Sequence, residues 1–284
     1  MRFFPTRAVL AISPLLLLCA CETYPTMTER SEMLAPKAQY FPPETSGPAP
    51  LVILMSGCGG LVGSDGKPNT IMEKYARAAN SAGAYAIIVD SFQPRGIDFN
   101  KAISTVCSGM QLRGKARAGD ALAGEALAEA HWKTQFTGII LSGWSHGAWS
   151  ITQLLDAGPD AKSLGNLQVG ETRRALSPDA VTLFYPYCGI LNQPPGKPWA
   201  FKGPMLFVTA EKDTIGKPEE CAKIVEGGRP GMTGVEAITY PGMTHAFDEE
   251  SQSEGSAFVY DPEVSAQAEA TYSKFISEQV ARLK

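Results

Sequence analysis

A serine in a glycine-flanked turn is the first candidate for chemistry in this chain. Ser145 lies in the sequence GWSHG (143–147), a G-x-S-x-G pattern between an apolar run and a helical pattern. A sharp turn in this context exposes the serine hydroxyl, and the flanking glycines let the strand and the helix pass closely. The pattern therefore predicts a nucleophile at Ser145, with a purely structural glycine-rich turn as the alternative.

A serine hydroxyl at neutral pH needs a base held beside it, and the chain has only three histidines. His131 lies at the end of a helical pattern. His146 follows Ser145 directly, so we expect its backbone N–H, rather than its ring, to serve the reaction. His245 follows the last predicted strand, where proteins with this motif carry their base, and we assign it that role.

The acid that orients the base is expected between Ser145 and His245 in chain order. Asp213 fits best, because it follows the fifth predicted strand in the sequence TAEKD (209–213). Glu211 is the nearest competitor, but it leaves the strand too early to reach over the rim. The alternative role of Asp213 is to cap the helix predicted from Pro218.

The negative charge of a transition state needs two fixed N–H donors. The backbone of His146 is one candidate, and the loop SGCGG (56–60) is expected to supply the other from Cys58 or Gly59. This loop matches neither of the common glycine-rich nucleotide-binding patterns. We also place Arg95 and Trp144 at the mouth of the pocket, with pairing to a structural acid as the alternative for Arg95.

The part of the chain that carries these candidate residues alternates regularly between apolar runs and helical patterns. The pattern predicts strands at Leu51–Met55, Tyr85–Val89, Gly138–Leu141, Ala180–Phe184, Met205–Thr209 and Val235–Tyr240, and helices at Thr70–Ala82, Lys115–Trp132, His146–Asp156, Pro218–Val225 and Pro262–Leu283. Strands that are apolar throughout predict a mostly parallel, doubly wound α/β sheet covered on both faces. The active crevice of such a sheet lies beyond the carboxyl ends of its strands, where the candidates fall.

Composition narrows the possible classes of protein. The 284 residues are 44% hydrophobic and 19% charged, which excludes a disordered chain, a collagen-like repeat and a polytopic membrane protein. The net charge is −4 and no basic cluster stands out, so we do not expect a nucleic-acid partner.

The first twenty residues resemble a bacterial lipoprotein signal peptide. Two arginines precede the apolar run Ala8–Ala20, which is too short to span a bilayer. The run ends in LCAC (18–21), so Cys21 would be the lipidated first residue of the mature protein; Cys19 has a less suitable residue before it. Glu22 favours the outer membrane. We therefore expect a lipid-anchored protein of the bacterial cell envelope, on the periplasmic side.

A proline-rich stretch separates this signal from the alternating pattern. Residues 22–50 contain six prolines and little apolar periodicity. We interpret residues 1–20 as the signal peptide, 21–45 as a tether and 46–284 as one domain. The alternative is that Gln39–Phe41 forms an edge strand of the domain.

Several segments together resemble the dienelactone hydrolase family of α/β-hydrolases, from about Leu51 to the C-terminus. The matching segments are SGCGG (56–60), DSFQPRG (90–96) with Cys107 beyond it, GWSHG (143–147), YPYCG (185–189), EKDTIGKPEEC (211–221) and YPGMTHAFD (240–248). The resemblance implies a Ser145–His245–Asp213 triad that needs no cofactor and no metal. It also implies a sheet of about six to eight strands, ordered 2-1-3-4-5-6 for the six predicted above.

The chain departs from this family at the nucleophile and in the first loop. The namesake enzymes carry cysteine in G-x-C-x-G, whereas this chain has Ser145, and relatives often have His-Gly at Ser56-Gly57. A serine esterase acting on an ester other than dienelactone fits better. We therefore predict hydrolysis of a small or soluble carboxylic ester, a small-molecule substrate, through an acyl-enzyme.

Three alternatives for the function stay open at this point. A peptidase or an acyltransferase would use the same triad, and a non-catalytic envelope protein would keep the fold for binding. The short insertion Gly189–Gly203 argues against a large lid, and residues 157–179 are a candidate flap. The sequence assigns no oligomeric state.

Four cysteines remain once Cys19 and Cys21 are set aside, and they allow three pairings. In the strand order that the resemblance implies, the first and second strands are neighbours, as are the fourth and fifth. We therefore predict the disulfides Cys58–Cys107 and Cys188–Cys221, which an oxidising compartment permits. The alternative for Cys58 is a second nucleophile.

Overall fold

The computed structural model describes residues 24–44, 47–170, 173–250 and 258–284, so Cys21 and the predicted signal peptide lie outside the described residues. Nine strands are present in these ranges: β1 (Gln39–Phe41), β2 (Leu51–Met55), β3 (Tyr85–Val89), β4 (Ile139–Trp144), β5 (Ser163–Leu164), β6 (Leu167–Gln168), β7 (Ala180–Phe184), β8 (Pro204–Ala210) and β9 (Gly234–Tyr240). Seven of them form one sheet in the order β1-β3-β2-β4-β7-β8-β9, and β5 and β6 form a separate hairpin.

The central sheet confirms the predicted fold class and strand order. Six of its strands are parallel, in the predicted order β3-β2-β4-β7-β8-β9. Alternate residues of β2 face opposite hydrophobic clusters: Leu51, Ile53 and Met55 face one, and Val52 and Leu54 the other. A strand buried on both faces has no polar side, which is why it reads as a continuous apolar run.

Helices cover both faces of this sheet. They are α1 (Met27–Leu34), α2 (Ile71–Ser81), α3 (Phe99–Lys101), α4 (Gly114–Trp132), α5 (His146–Ala157), α6 (Pro218–Gly228) and α7 (Pro262–Leu283), and α3 continues into a π-helical turn at Ala102–Val106. Buried residues of α1, α4, α5 and α6 pack on one face, and those of α2 and α7 on the other. Within the described ranges, no helix is both long enough and apolar enough to cross a bilayer.

The N-terminal stretch corrects the predicted tether. Residues 27–41, assigned above to the tether, form α1 and β1 and belong to the folded domain. Leu34 is fully buried, and the buried Arg30 donates to Asp120 Oδ1 of α4 at 2.7 Å. The apolar periodicity of α1 is weak, which is why the sequence does not predict this helix. A few anchoring side chains, rather than a continuous apolar face, hold α1 against the domain.

The edge strand was the open alternative, and the structure contains it. β1 pairs antiparallel with β3 at the edge of the sheet. Tyr40 of this strand stacks on His131, with ring centroids 3.9 Å apart. This contact gives His131 a structural role at the end of α4, outside the candidate site.

Candidate active site

The turn between β4 and α5 holds Ser145 in a conformation that few side chains adopt. Its φ is +50° and its ψ is −113°, which lifts the hydroxyl out of the turn at a cost of about 1–3 kcal/mol. A Cβ on Gly147 would lie 2.0 Å from Met55 O, and a Cβ on Gly143 would lie 2.6 Å from Ala148 N. Both positions therefore require glycine, because strand and helix approach too closely for any side chain.

The three residues predicted to act together lie in one hydrogen-bonded chain. His245 Nε2 is 2.8 Å from Ser145 Oγ, and His245 Nδ1 is 2.7 Å from Asp213 Oδ2. All three side chains are buried. Because the carboxylate can only accept, it favours the proton on Nδ1 and leaves Nε2 free to take the serine proton.

Backbone donors fix the acid. Asp213 Oδ1 accepts hydrogen bonds from Ile215 N at 2.9 Å and from Gly216 N at 2.6 Å. Its competitor Glu211 instead accepts from Gly242 N at 2.6 Å. The N-cap position of α6 is Lys217, so the alternative in which Asp213 caps that helix is also wrong.

The loop after β2 passes beside Ser145. Residues 57–60 form a turn closed by the Gly60 N–H to Gly57 O at 3.3 Å, a bond that leaves the amides of the two middle residues, Cys58 and Gly59, out of the turn. Both of these residues line the cavity above Ser145. A Cβ on Gly57 would lie only 3.6 Å from the Cβ of Ser145. This loop and His146, at the start of α5, thus carry the backbone N–H groups predicted to form the oxyanion hole, and all three residues line the cavity.

A buried arginine, which the sequence did not predict as a site residue, connects the loop after β2 with the start of α5. Arg117 of α4 is fully buried and donates to Ser56 O at 2.7 Å, Ser56 Oγ at 3.0 Å and Ser91 Oγ at 3.0 Å. Its Nη1 also lies 3.3 Å from His146 Nδ1. No sequence signal marks Arg117, because Lys115 of the same helix and Arg113 just before it are cations in the same short stretch.

Burial lowers the pKa of both groups of this pair, and the charge of Arg117 acts in addition on His146. Burial lowers the pKa of Arg117 to about 10, although Asp120 and Asp90 act in the opposite direction. Burial, and then the charge of Arg117, lower the pKa of His146 well below its usual range. The His146 ring is therefore neutral, so that its Nδ1 can accept from the guanidinium while its backbone N–H remains available.

A cavity of about 290 Å³ opens above the triad. Its described walls are mostly apolar and include Ile71, Met72, Phe99, Ile103, Leu191 and Ile215. Its polar side chains beyond the triad include Asn69 and Glu249, neither of which the sequence analysis singled out. The expected flap does not contribute, because no residue of 157–179 is among the described cavity walls and its β5–β6 hairpin buries Leu164 and Leu167.

One of the two predicted pocket residues is wrong. Arg95 is absent from the described cavity walls and instead makes a two-pronged contact with Asp120, at 2.9 and 2.8 Å. The open alternative of a structural ion pair is therefore correct, since a buried carboxylate attracts nearby cations. Trp144 does border the cavity, but its indole packs between Tyr75 and Phe184 in the core.

Both predicted disulfides are present, Cys58–Cys107 and Cys188–Cys221. The first ties the loop after β2 to residues 99–109, which form one wall of the cavity. The second ties the segment after β7 to α6, close to the loop that carries Asp213. Because the sulfur of Cys58 is oxidised, the alternative of a second nucleophile is wrong.

Comparison with protein-family models gives a match over the C-terminal part of the chain. Residues 165–279 match the model of the dienelactone hydrolase family. The resemblance to this family is confirmed. The matched segment contains Asp213 and His245, whereas Ser145 lies before it. No protein with a curated function matches the chain in sequence.

Solved structures of dienelactone hydrolases and esterases have the same fold. A dienelactone hydrolase from Anabaena variabilis is 13% identical with a TM-score of 0.55, over 85% of this chain and 90% of its own. A dienelactone hydrolase-like promiscuous phosphotriesterase from metagenomic libraries is 15% identical with a TM-score of 0.58, over 85% and 91%. Thermogutta terrifontis esterase 2, phosphorylated by paraoxon, is 12% identical with a TM-score of 0.55, over 85% and 88%. The shared feature at these identities is the α/β-hydrolase fold.

Proposed function

We propose that this protein is a serine esterase that cleaves small or soluble carboxylic esters. The observation that carries the proposal is the hydrogen-bonded chain from Ser145 through His245 to Asp213, at the floor of an apolar cavity. The match to a hydrolase family supports a small-molecule substrate.

In the proposed reaction, Ser145 Oγ attacks the ester carbonyl carbon while His245 Nε2 takes the hydroxyl proton. The carbonyl oxygen becomes negative and accepts hydrogen bonds from His146 N and from the amide of Cys58 or Gly59. His245 then gives its proton to the departing alcohol, which leaves an acyl group on Ser145. Water repeats the sequence and releases the acid.

The cavity supports the assignment to small esters. Its volume of about 290 Å³ is at the lower end of the range for small-molecule sites. Residues 189–203, where a lid would be inserted, contain neither helix nor strand. Because one structural neighbour is an esterase phosphorylated by paraoxon, we choose organophosphates as probes of Ser145.

We further propose that the mature protein is anchored to the bacterial cell envelope through a lipid on Cys21. The support is the sequence LCAC (18–21) after a short apolar run. Cys21→Ala should move the protein from the membrane fraction to the soluble fraction of its bacterial host. An unchanged membrane fraction would contradict the anchor.

Labelling with a fluorophosphonate or with paraoxon tests the esterase. We expect stoichiometric modification of Ser145 and none in Ser145→Ala. Ser108→Ala is the matched control, because Ser108 borders the same cavity and its hydroxyl donates to a backbone carbonyl instead of to a base. Hydrolysis of p-nitrophenyl acetate should follow the same pattern. A folded protein that neither reacts nor hydrolyses would overturn the proposal.

A further inference from the structure

We propose that Glu249, held by Asn69, forms a subsite that selects esters carrying a cationic group. The inference rests on the proposed esterase function and names the substrate class of the same cavity. It arises from one carboxylate in walls that are otherwise apolar or neutral.

The charge pattern of the cavity is the first support. Among the described residues that line it, Glu249 is the one carboxylate, and neither lysine nor arginine is present. Glu249 also makes no ion pair with any described residue, and residues 251–257, which follow it closely, contain no Lys, Arg or His. A cation in the cavity would therefore meet an attractive charge, and an anion a repulsive one.

The second support is that the carboxylate is held in place. Asn69 Oδ1 accepts from Ile71 N at 3.1 Å, which turns its Nδ2 towards Glu249, and Nδ2 donates to Glu249 Oε1. The backbone N–H of Glu249 donates to Ala246 O at 3.1 Å, one residue after His245. The carboxylate is thus fixed on the same short segment that carries the base.

The adjacent acid has a separate role. Asp248 is buried and accepts from Tyr75 at 2.7 Å and from Tyr185 at 2.6 Å, so two phenols hold it in the core. Burial, and then the charge of Asp248, raise the pKa of Glu249 to about 7. A bound cation would offset both effects and favour the ionised carboxylate, so binding and ionisation support each other.

Two thioesters of the same shape test this subsite. Acetylthiocholine and 3,3-dimethylbutyl thioacetate differ only in a charged nitrogen replaced by carbon. We expect kcat/KM at pH 8 to favour the cation by about tenfold, through the attraction of opposite charges at a partly buried site. Glu249→Gln should remove the preference, and Glu250→Gln, at an exposed neighbouring position, should keep it. An equal ratio in the native protein and in Glu249→Gln would overturn the subsite.

A binding measurement separates this inference from the esterase proposal. Ser145→Ala protein is titrated with choline and with 3,3-dimethylbutan-1-ol and followed by NMR. Tighter binding of choline that Glu249→Gln abolishes would support the subsite even if no ester were hydrolysed. Equal binding of the two alcohols would overturn it, whatever the outcome of the labelling experiment.

Discussion

The substitution Arg117→Met tests whether a buried charge positions the two sides of the proposed oxyanion hole. Methionine keeps most of the volume and removes every donor. The carbonyl of Ser56 then loses its 2.7 Å hydrogen bond, and the His146 ring loses its neighbouring cation. Because these residues lead directly into the loop after β2 and into α5, both proposed oxyanion donors would lose a constraint.

The size of the effect follows from the contacts. Breaking a buried, hydrogen-bonded charge network costs about 3 kcal/mol of unfolding free energy, partly offset here because the charge itself is removed. Displacing one oxyanion donor lowers kcat about 100-fold, or about 2.7 kcal/mol. We therefore expect Arg117→Met to lower kcat by about 100-fold and to change KM little, since the hole acts on the transition state.

Urea unfolding and hydrolysis of p-nitrophenyl acetate measure these two effects. Arg30→Met is the matched control, because Arg30 is equally buried but contacts Asp120 and Asn166 away from the cavity. It should lose comparable stability and keep its kcat. If Arg117→Met is destabilised but keeps a kcat within twofold of the native value, Arg117 has only a structural role and the reasoning is refuted.

Three further predictions concern packing, crosslinking and pH. Gly147→Ala should cost about 3 kcal/mol in urea unfolding, because its Cβ would lie 2.0 Å from a carbonyl oxygen of β2, whereas Gly196→Ala, in open space, should cost almost nothing; equal costs would contradict the close approach. Replacing Cys58 and Cys107 together by serine should cost about 4 kcal/mol from the 49-residue separation, and a loss under 1 kcal/mol would contradict the chain-entropy account. The raised pKa of Glu249 means that the folded state prefers the protonated form, so native stability should fall as pH rises from about 4.5 to 7. Between pH 5 and pH 8, the free energy of unfolding of Glu249→Gln should therefore rise by about 2 kcal/mol relative to that of the native protein. Parallel curves of unfolding free energy against pH would contradict this.

The central sheet and the places of the three proposed catalytic residues could be predicted from the amino-acid sequence. Fully buried parallel strands leave continuous apolar runs, and the loops at their carboxyl ends share one rim. The G-x-S-x-G motif and the expected chain order of nucleophile, acid and base then select Ser145, Asp213 and His245 on that rim. The cysteine pairs followed from the strand order that the resemblance to the dienelactone hydrolase family implies. The apolar runs themselves are a local pattern, which a single sequence records.

Which charged residues are buried, and what they contact, became visible in the folded protein. Arg30 and Arg117 bind partners 90 and 61 residues away in the chain, Asp120 and Ser56, and no local pattern distinguishes them from surface arginines. The same holds for Arg95, which joins a buried carboxylate instead of the pocket. Whether a charge is buried depends on its partners in space, and the fold that brings those partners together sets their identity.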